Sequence, residues 1–263
     1  MENYIEINRK LWNDKTKFHI DSDFYKNSAF KRSKYSLNKI ELDALRDVSG
    51  KSLLHLQCHF GQDTLSWQNL GAQCTGVDFS EEAINYAKQL GTELNLDADF
   101  ICCDIYDLKN HLNNKFDIVF TSYGTIGWLP DLNKWADIIS HFLKPGGTFL
   151  IVDFHPVVWM YSNDFKEIKY SYFNIEPIVE ENEGTYADKN APLKNKEVGW
   201  NHPISEILNS LINNDLLIEQ FNEYDYSSYN CFNNMIEIET GKFQIKGLEY
   251  KMPVMYAVKA KKK

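Results

Sequence analysis

Across residues 49–153 short apolar runs take turns with amphipathic stretches, and this alternation limits the fold more than any other feature of the chain. The runs at 51–56, 74–77, 100–103, 116–121 and 148–153 have the length and character of buried strands. Between them, 62–70 reads as a helix stopped by Gly71, a residue suited to a helix end. Ser80 is placed to cap a second helix, with Glu81 and Glu82 in the first turn, where the helix dipole favours acids. Ala83, Ile84, Ala87 and Leu90 form its apolar stripe and Gly91 is expected to close it; Trp135, Ile138, Ile139 and Phe142 mark a third helix. Strands alternating with helices call for right-handed crossovers, hence an α/β fold with a parallel, doubly wound sheet. A ligand of such a sheet sits at the carboxyl ends of the strands, where strand order reverses. The loops after residues 56, 77, 103 and 121 are therefore where chemistry is expected.

Composition narrows the classes. Apolar residues make up 43% of the 263 and charged residues 25%, the balance of an ordinary globular chain. No apolar run approaches the ~20 residues of a membrane span. The start, MENYIEINRK, lacks the apolar core of a secretion signal, so a cytoplasmic protein is expected. The net charge of −9 repels phosphate backbones, and no nucleic-acid partner is expected. The basic tail residues Lys259, Lys261, Lys262 and Lys263 read as solvated. Cysteines 58, 74, 102, 103 and 231 are odd in number and show no C-x-x-C spacing. Neither a disulfide framework nor a metal site is expected from them.

The first strand-end loop is HLQCHFGQD, residues 55–63. A dinucleotide loop of the form G-x-G-x-x-G uses its glycines to bring a pyrophosphate against the backbone. Only Gly61 is present here, and Gln57 and His59 put side chains in the way. An NAD(P)-dependent oxidoreductase is thus the lesser expectation. Asp78 ends the second strand, where a carboxylate suits a ribose diol; the alternative is a helix cap, for which Ser80 is better placed. Asp104 follows the third strand, suited to an adenine amino group with Ile105 on the ring, or to a plain turn. The fourth strand opens into Thr121-Ser122-Tyr123-Gly124-Thr125, expected to face the reactive end of a cofactor or simply to turn.

The series LLHLQCHFGQDTL, TGVDFSEEAI, ICCDIYDL, FDIVFTSYGTIGWLPDL and LKPGGTFLIVDFHP, covering about residues 51–156, resembles the motifs of class I S-adenosylmethionine-dependent methyltransferases in order and spacing. The H-L-Q-C-H-x-G-x-D-T-L stretch and the later W-N-H-P-x-S-E-I segment resemble a bacterial, mostly uncharacterised group among them. The resemblance implies a Rossmann-like seven-stranded sheet with a reversed last hairpin, and S-adenosylmethionine as cofactor. It also implies Asp78 on the ribose, Asp104 and Ile105 on the adenine, and the loop of Gln57, Cys58, His59 and Gly61 on the methionine part. Phe79, Thr121 and Tyr25 complete the expected cofactor residues. The chain departs from the family pattern at position 55, His where an acid is usual, and at 57 and 59, Gln and His where glycines are usual.

Residues 1–48 carry His19, Ser22, Phe24 and Tyr25 and resemble a lid over the cofactor, before a methyltransferase domain spanning 49–263. Within that domain, 154–200 is a long insertion crowded with Trp159, Tyr161, Phe165, Tyr170, Tyr172, Phe173 and Tyr186. It reads as a cap over an acceptor pocket, with strand character at 169–173 and 177–180, or alternatively as a homodimer surface. Pro203 suits the first position of a helix, with Asn201 or His202 as its cap; 216–221 and 253–259 read as the last two strands, with a short hairpin around Gly241 between them. Methyl transfer is an in-line displacement in which the protein mainly orients the acceptor and excludes water. A base is needed only for a protonated acceptor. His59, Tyr123, His155 and His202 are candidates for it, with His155 favoured because it follows the fifth strand and Tyr123 and His202 beside it; each histidine fits a packing or capping role as well. The expected function is methyl transfer to a small-molecule acceptor, with a non-catalytic cofactor-binding protein as a further alternative.

Overall fold

Leu53, Leu54 and Leu56 are fully enclosed, so the first apolar run has no face to give to water and becomes the central strand β1 (Ser52–Leu56). A computed structural model describes residues 3–173 and 176–263; residues 1, 2, 174 and 175, inside the expected lid and cap segments, lie outside the described residues. Three helices precede β1: α1 (Tyr4–His19), α2 (Asn27–Ser33) and α3 (Lys39–Leu45). After it come α4 (Gln62–Asn69), β2 (Gln73–Asp78), α5 (Glu81–Leu94), β3 (Asp99–Cys102), β4 (Phe116–Ser122), α6 (Leu132–Phe142) and β5 (Leu143–Phe154). A hairpin of β6 (Ile178–Glu183) and β7 (Lys194–Gly199) precedes α7 (Ile204–Asn213) and β8 (Leu216–Tyr224). A second hairpin, β9 (Met235–Glu239) and β10 (Lys242–Ile245), precedes β11 (Met255–Lys262).

The sheet order is β3-β2-β1-β4-β5-β11-β8. Strands β1 to β5 are parallel, while β11 runs antiparallel between β5 and β8. This is the doubly wound sheet with a reversed last hairpin. Strand order turns back between β1 and β4, which opens a crevice at their carboxyl ends. Side chains alternate across the sheet. Leu54 and Leu56 pack under Trp135, Ile139 and Phe142 of α6 and Leu211 of α7. Leu53 faces the other way, with Phe120, Trp67 of α4 and Ile40 of α3. Truncating a fully buried tryptophan such as Trp135 in this layer costs about 3–5 kcal/mol.

Ser80 caps α5 as expected, its hydroxyl accepting from Ala83 N at 3.2 Å. The helix does not stop at Gly91 but runs through it to Leu94. A Cβ at Gly91 would stand 3.1 Å from Leu96 O, so glycine makes room for the returning chain rather than ending the helix. The expected strand at 169–173 is absent; only an isolated Tyr161–Ile168 bridge forms there, and the paired strand starts at Ile178 with β7 as a partner the sequence did not announce. Pro203 stands one position earlier than expected, at the N-cap of α7. Asn201 instead donates to Pro156 O at 3.1 Å.

Helix α1 lies across the insertion. Asn8 Nδ2 donates to Val198 O at 2.8 Å and Asn8 Oδ1 accepts from Val198 N at 3.0 Å, both buried. One carboxamide thereby does for β7 what a neighbouring strand would do. Among the described residues no helix is long and apolar enough to cross a membrane.

Candidate active site

The loop after β1 has a left-handed backbone at Gln57 (φ 56°), His59 (φ 50°) and Gly61 (φ 81°). Glycine meets that requirement at Gly61, where a Cβ would also strike the Phe100 ring at 2.7 Å. At Gln57 and His59 the same conformation costs of order 1–3 kcal/mol each, a strain that surrounding contacts must hold. Gln57 Nε2 is tied to Thr125 O at 2.8 Å, and His59 N donates to Asp78 Oδ2 at 2.9 Å.

Asp78 ends β2 and is 7% exposed. Its other oxygen accepts from Ser80 N at 2.9 Å. Burial pushes its carboxyl up to about 6, against the three backbone N–H groups that favour the anion. His59 N and Ser80 N fall on different oxygens, and the carboxylate keeps acceptor capacity for a further donor. Asp104 follows β3, accepts from Tyr106 N at 2.9 Å and so caps a short 3-10 turn (Ile105–Asn110), with no donor to its second oxygen among the described residues; Ile105 beside it is buried.

All these groups line one cavity of about 880 Å³: Gln57, Cys58, His59, Gly61, Asp78, Phe79, Asp104, Ile105 and Tyr25 are on its wall. Over the Asp78–Asp104 side, α1 contributes Tyr4, Asn8, Trp12 and Lys15. Trp12 meets Trp128 and His59 edge to face at 5.4 and 5.3 Å. Lys15 Nζ sits over both tryptophan rings and 3.3 Å from Glu197. His19 Nδ1 lies 3.0 Å from His59 Nε2, and burial holds both rings neutral, His19 at about 2 and His59 at about 3. The Tyr25 and Tyr186 hydroxyls meet beside them.

The opposite wall is made by the segment leading into α3, the start of α4 and the end of β4 with its loop, and Glu41 of α3 stands behind it. Asp63 accepts from Ser36 Oγ at 2.5 Å and from Ser122 Oγ at 3.2 Å. Tyr123 donates to Glu41 Oε2 at 2.7 Å, and Asn38 N donates to Glu41 Oε1 at 2.6 Å. Glu41 is wholly buried; desolvation first, then the charge of Asp63, raises its carboxyl to about 7. Asn38 also donates to the Tyr229 hydroxyl at 2.8 Å.

Three expected residues lie elsewhere. Thr121 points away from the cavity and bonds Leu56 O at 3.1 Å; its neighbour Ser122 is on the wall instead. His155 is also off the wall, with Nε2 3.0 Å from Glu223 Oε1 and Nδ1 accepting from Val157 N, while Phe154 faces the cavity. Both are errors of parity, because adjacent strand residues face opposite sides. His202 is held between Leu129 O at 2.7 Å and Glu206 at 3.0 Å, outside the cavity. Sequence reasoning did not single out Glu41, Asp63, Trp12 or Asn8. The N-x-x-E spacing of Asn38 and Glu41 signals a helix capping box, which the structure contains, but not a cavity partner for Tyr123.

The cavity also tests whether S-adenosylmethionine fits. Gln57, His55 and His59 line it, and among the described residues Gln57 Oε1, His55 Nε2 and His59 Nδ1 are buried without a hydrogen-bond partner. With the open oxygens of Asp78 and Asp104 they form a set of polar groups awaiting a ligand, and they suit a nucleoside carrying an amino-acid tail.

Residues 54–151 match the family described as a methyltransferase domain. A ubiquinone biosynthesis O-methyltransferase of Chromobacterium violaceum is 29% identical over 125 residues, 46% of this chain and 53% of that protein. The chain spans about half the length of the curated relatives it matches. Among solved structures, a protein of Pyrococcus horikoshii superposes with TM-score 0.60 at 15% identity, covering 93% of this chain and 95% of that one. The geranyl diphosphate C-methyltransferase of Streptomyces coelicolor, solved with S-adenosyl-L-homocysteine, superposes with TM-score 0.56 at 14% identity, covering 90% and 76%. The family match falls on the strands whose tips build the cavity, so residues 54–151 are similar to a methyltransferase domain, and the chain shares the fold of solved S-adenosylmethionine-dependent methyltransferases.

Proposed function

We propose that the protein transfers a methyl group from S-adenosylmethionine to a small-molecule acceptor. The observation that carries this reading is that Asp78, Asp104 and the 57–61 loop line the same cavity as Tyr123 and Ser122. At about 880 Å³ that cavity stands in the upper part of the roughly 300–1,000 Å³ range of ligand sites. It has room for a nucleoside cofactor and a second small molecule. The names of the relatives, a ubiquinone biosynthesis O-methyltransferase and a geranyl diphosphate C-methyltransferase, support a small acceptor.

When bound, the cofactor supplies a methyl group activated by a positive sulfur. Asp78 holds the ribose hydroxyls, Phe79 and Ile105 flank the base, and Asp104 accepts from its amino group. The backbone of Cys58, His59 and Gly61, with the Gln57 side chain, receives the amino-acid end. Tyr25, Trp12 and the rest of residues 1–48 act as a lid with the cap insertion, and together they exclude water. Tyr123 can take a proton from a protic acceptor as it passes its own to the Glu41 carboxylate it donates to. A cytoplasmic setting suits five cysteines that are all unbridged.

Calorimetric titration tests the reading. S-adenosylhomocysteine is expected to bind while NAD does not. Binding of NAD alone would favour an oxidoreductase. Methyl release from labelled cofactor across an acceptor panel then separates an enzyme from a protein that only binds the cofactor.

A further inference from the structure

The amino-acid end of S-adenosylmethionine carries an ammonium group, and a water-excluding cavity must offer it an anion. Five carboxylates line the cavity: Asp63, Asp78, Asp104, Glu183 and Glu197. Asp78 and Asp104 already take backbone donors at the tips of β2 and β3. Glu197 is paired with Lys15, and Glu183 lies exposed on the rim strand β6. Asp63 differs from all four. It receives only two neutral hydroxyls, Ser36 and Ser122, and among the described residues no cation stands within 4.0 Å of it. Burial raises its pKa, opposed by those two hydroxyls.

The neighbours of Asp63 point the same way. The tip of β1 carries His55, 2% exposed and on the cavity lining, with Nδ1 2.8 Å from Thr64 Oγ1 and a buried Nε2 that has no partner among the described residues. Burial keeps this ring neutral, so position 55 supplies no charge. Gln57 leaves a buried, unpartnered oxygen. Asp63 and Gln57 both line the cavity and are both held by the end of β4 and its loop, through Ser122 and Thr125.

We propose that Asp63 is the anion that binds the cofactor's ammonium group, with the Gln57 side-chain oxygen as a second acceptor. This rests on the reading of the cavity as an S-adenosylmethionine site. The negative charge stands on the first turn of α4 rather than at the tip of β1, and His55 links the two through Thr64.

Calorimetry on the full chain with S-adenosylhomocysteine, its desamino analogue and 5′-methylthioadenosine tests the proposal. Asp63→Asn is expected to weaken S-adenosylhomocysteine binding about 10- to 100-fold, the range for losing a hydrogen-bonded charge. Affinity for 5′-methylthioadenosine, which lacks the amino-acid end, should change less than about twofold. The wild type should prefer S-adenosylhomocysteine over the desamino analogue by a comparable factor, and the variant should lose that preference. Should Asp63→Asn not fold, Asp63→Ser and the wild-type preference carry the same comparison. An equal loss on all three ligands, or a wild type indifferent to the amino group, overturns the proposal. A wild type that binds none of the three overturns the cofactor reading itself, and this inference with it.

Discussion

The two ends of the cavity are built from different material. At the Asp78–Asp104 end the polar groups stand on strand tips: Asp78 on β2 and Asp104 after β3, each oriented by a backbone N–H from the residue two positions on in the chain. At the other end Glu41, Asp63, Tyr123 and Tyr229 come from a preceding helix, a crossover helix, a loop and the segment between the last two strands of the sheet. The first end is fixed by the sheet; the second exists only once distant segments have packed. Substitutions at the first should act on ligand binding; at the second, Asp63 should act on binding as well, while Glu41 and the contacts behind it should act on stability and its pH dependence.

The largest expected effect is at the first end. Asp78→Ala should weaken S-adenosylhomocysteine binding by about 1.5–3 kcal/mol, read by calorimetry, since it removes a charged acceptor; an unchanged affinity would erase the distinction between the two ends. Next is the seam above them. Asn8→Ala leaves Val198 N and O unpaired in a buried place and should cost about 1–3 kcal/mol in urea unfolding. Segment 1–48 should also become more open to limited proteolysis.

A smaller effect concerns Glu41. Its carboxyl is raised from 4.5 to about 7, chiefly by burial, so the folded chain holds a proton that the unfolded chain has released. Its contribution to stability is full below about pH 4.5 and is lost as the pH rises through 7. Unfolding free energies at pH 5 and pH 8 should therefore differ less in Glu41→Gln than in the wild type; identical differences would mean that Glu41 is not the acid that titrates there. The smallest effect is at Gln57. Glycine there relieves the left-handed strain but gives up the bond to Thr125 O, and the opposing contributions should leave stability within about 1 kcal/mol.

The same contrast explains what could be read in the sequence. Strands, crossover helices and strand-tip acids follow from short-range patterns, so the sheet, Ser80 as a cap, and Asp78 and Asp104 on the cavity wall were legible. Thr121 and His155 were misplaced by one step in a period of two, because a strand-end position does not say which side of the sheet a residue faces. Asn8 against Val198 and Glu41 against Tyr123 are contacts 190 and 82 residues apart, and no local pattern encodes them. Strand β7 was missed for a related reason: Lys194–Gly199 is polar and only partly buried, and it is held by its hairpin partner and by Asn8.

The meeting of Asn8 with β7 has a kinetic side. In the proposed lid arrangement, loosening the Asn8–Val198 seam should raise the dissociation rate of S-adenosylhomocysteine in stopped-flow experiments more than it lowers the association rate.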